Sequence, residues 1–161
     1  MKWILRFIQI APQERNLFLK TYVLLTFVRL GLVWRSFNRL RSLLERISSP
    51  HPAAVATIDP PSQRQLVDRV QWAINACCKF MPGSVKCLAR ALTMKTLLDQ
   101  YGCHSKLMIG VDKNSLDQLE AHAWIEYEGH VVMGQLNDLS RFKPLPNLPQ
   151  PLRARPAQLL D

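Results

Sequence analysis

Apolar residues in the first third of the chain recur at intervals of three and four positions, which is the spacing of one helix face. This spacing predicts helical structure over about residues 13–47, with Gly31 as the expected break between two helices. The apolar face of the later helix consists of Val33, Phe37, Leu40, Leu44 and Ile47. Arg35, Arg39 and Arg46 fall on another face, so the pattern predicts a basic helical segment.

Residues 48–61 lack periodicity and are rich in proline and small residues, which is typical of a linker. Periodicity resumes after Ser62, a candidate N-cap for a further helix. The apolar stripe of that helix consists of Leu66, Val70, Ile74 and Cys77. Another helix is predicted over about residues 85–100, with Ser84 as its candidate N-cap and Gly102 as its C-terminal stop.

Strands are predicted after Gly102, where β-branched and apolar residues replace the helical pattern. Residues 104–111 form one expected strand, and residues 121–134 form an expected hairpin that turns at Glu128 and Gly129. The pattern therefore predicts an α+β fold of helices plus antiparallel strands. Three parts are expected: a basic helical segment at 1–50, a compact core at 62–146 and a Pro-rich tail at 147–161.

Composition and charge narrow the class of protein. The chain has 161 residues, of which 48% are hydrophobic and 20% charged, which fits one globular domain and excludes a disordered chain. Residues 1–50 hold nine Lys or Arg against Glu14 and Glu45, so they carry +7 of the net charge of +9. A basic segment of this kind favours an acidic partner, but no nucleic-acid recognition motif accompanies it.

Two apolar stretches bear on the compartment. Arg6 interrupts the first, at residues 1–12, and no small-residue cleavage site follows, so a signal peptide is not expected. Lys20 and Arg29 interrupt the second, at residues 17–34, which favours a buried or interfacial helix over a membrane span. The expected location is the cytoplasm, where the four cysteines are thiols.

Cys87, in the stretch PGSVKCLARAL, is the first candidate for chemistry. If Ser84 caps the helix, Cys87 is the third helical residue, where free backbone N–H groups and the helix dipole favour a thiolate. The alternatives are an inert core residue, which is how Cys77, Cys78 and Cys103 are interpreted, and a zinc ligand. No CxxC or HxxxH spacing supports zinc.

A thiolate nucleophile needs an imidazole partner, and the four histidines differ in context. His51 lies in the linker, His104 opens a strand and His130 follows the hairpin turn. His122, in AHAWIEY, has alanine on both sides, which leaves room for another group to approach its ring. A helix-borne cysteine followed by a strand-borne histidine is the order found in papain-like and transglutaminase-like thiol enzymes.

The segments CLARALTMKTLLDQYGCHSKLMIGV and AHAWIEYEGHVVMG together resemble the standalone leader peptidases of lasso-peptide biosynthesis. The resemblance implies a transglutaminase-like fold, a Cys-His-Asp triad, no cofactor, and removal of the leader from a ribosomally made precursor peptide. It also implies two partners, a separate leader-recognition protein and an ATP-dependent macrolactam synthetase. A transglutaminase-like acyl transferase and a non-enzymatic peptide-binding module of the same fold remain as alternatives.

The same resemblance assigns Cys87 as nucleophile and His122 as general base. Many relatives carry an Asp twelve residues after the histidine, where this chain has Gly134. Asp138 is the first choice for the third catalytic group. Gln135 is the alternative, since a two-residue turn would place it opposite His122 across the hairpin.

Overall fold

The computed structural model describes residues 12–34, 36–48, 60–113 and 117–145. Four helices occupy the first two thirds of the chain: α1 (Pro12–Trp34), α2 (Phe37–Ile47), α3 (Pro60–Phe80) and α4 (Cys87–Gln100). They are followed by four strands: β1 (Lys106–Lys113), β2 (Leu119–Tyr127), β3 (His130–Met133) and β4 (Lys143–Pro144). A short 3₁₀ turn, Leu139–Arg141, precedes β4. The predicted α+β class is confirmed.

The strands form one antiparallel sheet in the order β3-β2-β1-β4. β2 and β3 are joined by a two-residue turn at Glu128 and Gly129, both of which have positive φ, as a tight hairpin requires. The predicted hairpin is therefore confirmed. β4 pairs through Lys143 and Pro144 at the outer edge of β1, and Leu145 N–H donates a further hydrogen bond to the Ile109 carbonyl oxygen at 2.8 Å.

Helix α4 lies at the centre of the molecule, since its buried residues lie on all its sides: Ala89, Ala91, Leu92, Thr93, Met94, Thr96, Leu97 and Leu98. The other helices and the sheet pack around it with fully buried residues such as Val28 of α1, Leu40 of α2, Ile74 of α3 and Ile125 of β2. One continuous core thus joins all four helices to the sheet. The division of the chain at residues 50 and 62 stays a prediction.

Several predicted helix boundaries were wrong. Gly31 lies inside α1, and the break comes between Trp34 and Phe37. A Cβ at Gly31 would lie 2.6 Å from Leu40 Cδ1, so this glycine allows α1 and α2 to pack closely rather than separating them. α3 begins at Pro60, which places Ser62 in the first turn instead of at the cap.

Side-chain burial agrees with the sequence pattern in part. Val70, Ile74 and Cys77 are buried as their stripe predicted, whereas Val33 and Ile47 of the other stripe are exposed. Trp124 is buried, whereas Trp72 on α3 is 41% exposed. Most of the predicted linker and the whole predicted tail lie outside the described residues.

Helix α1 has two apolar faces, of which the core covers only one. Among the described residues, its segment Glu14–Trp34 is the one helix long and apolar enough to cross a membrane by length and composition. Core helices of soluble proteins meet the same criterion. The face away from the core exposes Leu19, Val23, Phe27, Leu30, Val33 and Trp34.

Candidate active site

Cys87 is the first residue of α4, not the third, because the helix begins two residues later than a Ser84 cap would place it. Lys86 occupies the N-cap position in an extended conformation and makes no side-chain cap hydrogen bond. The backbone N–H groups of the first turn have no intrahelical partner, so the half-buried Cys87 lies at the positive end of the helix dipole. Cys87 therefore lies next to backbone donors that can stabilise an anion formed in this part of the molecule.

The turn before α4 is anchored to α1. Arg29 donates a hydrogen bond from Nη1 to the carbonyl oxygen of Pro82 at 3.0 Å. Gly83 follows with a φ of 73°, in the left-handed region that favours glycine. These two features fix the direction in which the chain enters α4, and with it the position of Cys87.

The other three thiols lie in environments that favour the neutral form. Burial raises the pKa of Cys77 to about 12 and raises the pKa of Cys78 and Cys103 as well. Cys77 and Cys103 are buried, whereas Cys78 is half-buried beside Arg29 and Arg90, whose charges partly offset the rise of its pKa. These three cysteines are therefore poor nucleophiles at neutral pH.

His122 lies in the middle of β2, opposite Gly110 of β1. Its ring is 5.5 Å from the ring of Phe142 and 6.2 Å from that of Trp124, measured between centroids. A Cβ at Gly110 would lie 2.8 Å from Phe142 Cβ and 3.0 Å from the Trp124 ring. Glycine on β1 therefore allows the two aromatic side chains to approach each other and to flank the histidine.

The His122 ring makes one hydrogen bond among the described residues, from Nε2 to the carbonyl oxygen of Gly134 at 2.7 Å. A carbonyl oxygen can only accept, so Nε2 carries the proton. In the neutral ring, Nδ1 is then the nitrogen with the free lone pair.

Gln135 is not opposite His122, because β3 contains a bulge. The pairing of Glu126 with Val131 is followed by the pairing of Ile125 with Met133, which leaves one residue of β3 without a partner. The bulge moves every later residue of β3 by one position, and the pairing ends at Met133. Among the described residues, the exposed Gln135 side chain contacts the Leu136 carbonyl oxygen, at a weak 3.5 Å.

Asp138 lies in a cluster of carboxylates around Arg141. Its Oδ2 is 2.7 Å from Arg141 Nε, and the guanidinium also binds Asp112 at 3.2 Å and Glu120 at 2.7 Å. The Asp138 side chain is 60% exposed, and no hydrogen bond joins it to His122 in the described part of the chain. Its catalytic role stays a prediction.

Arg90 of α4 and the His122 ring both contact the end of β3 and the residue after it. Arg90, one helical turn after Cys87, reaches Met133 Sδ at 3.5 Å and Asn75 Oδ1 at 2.7 Å. Gly134, which follows Met133, binds the His122 ring. No hydrogen bond joins Cys87 and His122 within residues 60–113 and 117–145, an arrangement common in thiol enzymes without substrate.

Two contributors to the site were not identified from sequence. The Gly134 carbonyl belongs to the backbone and has no sequence signature; the glycine itself is the only indication of an unusual conformation. Phe142 precedes a two-residue strand, which is too short to produce a periodic pattern. Among the described residues, no group of three or more His, Cys, Asp or Glu is placed to hold a metal ion.

The family model described as the transglutaminase-like superfamily matches residues 28–147, which include α2, α3, α4 and all four strands. No curated protein and no solved structure matches the chain significantly.

Proposed function

The chain belongs to the transglutaminase-like superfamily, and from this we propose that it is a cysteine peptidase that removes the leader from a lasso-peptide precursor. The observation that supports the proposal is that a helix and a strand packed against each other each present one group of a thiol–imidazole pair. Cys87 opens the central helix, and the His122 ring on β2 has one nitrogen bound to Gly134 and the other free to act as a base. The superfamily includes cysteine peptidases, which use these two groups together.

The reaction follows the general scheme of thiol peptidases. His122 Nδ1 takes the Cys87 proton, and the thiolate attacks the scissile carbonyl to form a tetrahedral intermediate. The intermediate expels the leaving amine, which receives the proton from the imidazolium, and an acyl-enzyme remains. Water then attacks the acyl-enzyme with His122 as base, and the cleaved leader and the thiol are released.

Free backbone N–H groups of the first turn of α4 support the step in which negative charge develops. The N–H of Cys87 is one donor without an intrahelical partner, and it lies next to the attacking sulfur. A donor so placed can stabilise the oxyanion of the tetrahedral intermediate.

The proposal includes the partners that the sequence resemblance implied. The precursor leader is the substrate, a separate recognition protein presents it, and a macrolactam synthetase takes the freed core peptide in the cytoplasm. The basic charge of residues 1–50 supports contact with an acidic leader or partner protein. Asp138 is retained as the side-chain candidate for the third catalytic group.

The experiment compares wild type with Cys87→Ala and Cys87→Ser on a lasso precursor in the presence of its recognition protein. Cleavage by wild type and a loss of at least ~10³-fold in both variants are expected, since removal of a nucleophile leaves only residual catalysis. Cys78→Ala is the matched control, because it removes a half-buried thiol with no assigned role. Equal cleavage by wild type and Cys87→Ala would refute the mechanism.

The superfamily match favours one second candidate, an acyl transferase, because the superfamily also includes acyltransferases. Both activities pass through the same acyl-enzyme and differ in the group that attacks it. Product mass separates them: hydrolysis adds one water across the cut bond, whereas transfer adds the amine. If the product carries the mass of the amine, the peptidase assignment is replaced by the transferase.

A further inference from the structure

We infer that the backbone carbonyl of Gly134 is the group that orients His122, in the role that a side chain fills in a Cys-His-Asp triad. The inference rests on the proposed function, since it assigns a positioning group to the same site. The orienting group is then a neutral backbone carbonyl in place of a carboxylate. The third position is then filled without Asp138 or Gln135.

The hydrogen bond fixes both the tautomer and the orientation of the ring. Nε2 donates to the Gly134 oxygen at 2.7 Å, so the neutral ring presents an unprotonated Nδ1. The rings of Phe142 and Trp124 lie beside the His122 ring, at centroid distances of 5.5 Å and 6.2 Å. A base that must accept a proton from Cys87 needs this combination, one nitrogen tied and the other free.

The backbone at Gly134 can adopt this conformation only as glycine. Its φ is 82°, in the left-handed region, and a Cβ there would lie 2.7 Å from the Ala123 carbonyl oxygen and 3.0 Å from Trp124 Cβ. These neighbours are backbone or backbone-proximal atoms that cannot rotate away. Any side chain at position 134, a carboxylate included, would displace the carbonyl from the ring.

The two side-chain candidates are engaged elsewhere. Asp138 binds Arg141 at 2.7 Å, and the Arg141 guanidinium is shared with Asp112 and Glu120. The bulge in β3 removes Gln135 from the position opposite His122, and its exposed amide lies near Leu136. In the described residues, the Gly134 carbonyl oxygen is thus the acceptor of the hydrogen bond from the His122 ring.

NMR of the ¹⁵N-histidine-labelled protein tests the inference without relying on activity. With the ring neutral, His122 is expected as a single Nε2–H tautomer, with a slowly exchanging ring proton and an NOE from that proton to the Gly134 Hα atoms. The signals should be unchanged in Asp138→Asn and Gln135→Ala. A Nδ1–H tautomer, a rapidly exchanging mixture, or a loss of the protected proton in Asp138→Asn would overturn it.

Gly134→Ala tests the same bond by displacing the carbonyl, and Gly129→Ala is its matched control. Both glycines have positive φ, 82° and 79°, but a Cβ at Gly129 would meet nothing within 4 Å. Gly134→Ala is expected to lose the protected ring proton and to reduce kcat about 10–100-fold with a smaller change in KM, as removal of an orienting partner does. Gly129→Ala should keep both. A Gly134→Ala protein that keeps the protected proton would contradict the inference.

The experiments distinguish a failure of the proposed peptidase function from a failure of the orienting role assigned to Gly134. If wild type cleaves no precursor but the His122 proton is protected and close to Gly134, the proposed function fails and the assignment of the orienting group stands. If cleavage depends on Cys87 while Asp138→Asn alters the His122 tautomer, the peptidase stands and the orienting group is Asp138.

Discussion

Gly110→Ala is the most direct test of how the sheet holds the histidine ring. The new methyl group would lie 2.8 Å from Phe142 Cβ and 3.0 Å from the Trp124 ring, whereas carbon atoms in contact are about 3.5–4.0 Å apart. Both neighbours are at most 5% exposed, and neither the Cβ nor the ring can move without a shift of its surroundings. Phe142 must move outward, taking β4 with it, or Trp124 must tilt toward His122.

Overpacking of this kind costs about 1–3 kcal/mol in the free energy of unfolding. For a chain of this size, each kcal/mol corresponds to a decrease of about 2–4 °C in Tm. Urea unfolding followed by tryptophan fluorescence measures the loss. Because the displaced rings also lie beside His122, folded Gly110→Ala protein in the absence of urea should show a lower rate of the proposed precursor cleavage than wild type.

Gly31→Ala is the matched control for this prediction. Its Cβ would also be too close to a neighbour, at 2.6 Å, but that neighbour is the terminal Cδ1 of Leu40, which can change rotamer. A gain of about 1 kcal/mol in helix propensity offsets part of the cost. A Gly110→Ala protein within about 0.5 kcal/mol of wild type, the usual range for surface substitutions, would refute the packing argument.

Three further predictions concern the cysteines and the core. Iodoacetamide at pH 7 should alkylate Cys87 before Cys77, Cys78 and Cys103, because burial raises the pKa of those three thiols. Peptide mass spectrometry identifies the modified cysteine. Labelling of Cys78 before Cys87 would contradict this prediction. The Cys77 thiol alone should lower the free energy of unfolding between about pH 9 and pH 12, by up to ~1.4 kcal/mol per pH unit. The reason is that the unfolded thiol loses its proton near its ordinary pKa of 9.0, whereas the folded thiol has a pKa of about 12 and keeps its proton over this range. Cys77→Ala should therefore show a shallower alkaline decrease than wild type in urea titrations across that range, and an identical slope would contradict the sign. Leu97→Ala, at a fully buried position of α4, should lower the free energy of unfolding by about 2–5 kcal/mol, whereas Leu119→Ala, at a position 73% exposed, should change it by no more than about 0.5 kcal/mol.

Features that depend on local chemistry could be predicted from the sequence. The Glu128-Gly129 turn has the residue type that a two-residue hairpin loop needs, and Gly102 ends α4 in the left-handed conformation. The stripe of α3 follows from periodicity, and the central strand β2 follows from the β-branched and apolar residues that replace the helical pattern. These elements were sufficient to place Cys87 on a helix and His122 on a strand.

Features that depend on packing between distant segments could not be predicted. The bulge in β3 has no sequence signal, yet it moves Gln135 away from His122 by changing the register. The interaction of Asp138 with Arg141 depends on β1 and β2 bringing Asp112 and Glu120 to the same guanidinium. The start of α4 at Cys87 depends on the turn that Arg29 anchors from a helix more than fifty residues earlier.

Because α4 is buried on all sides, it should open less readily than the strands around His122. Amides in the core of this helix can exchange with solvent only when the whole domain opens, so they should be among the last to take up deuterium. The strands on the histidine side are short, with four residues in β3 and two in β4, and local fraying can open them at much lower free energy. Cys87 thus begins the helix expected to exchange slowly, whereas the Gly134 carbonyl that binds His122 follows a four-residue strand, so mild stress should release the His122 ring while α4 stays folded.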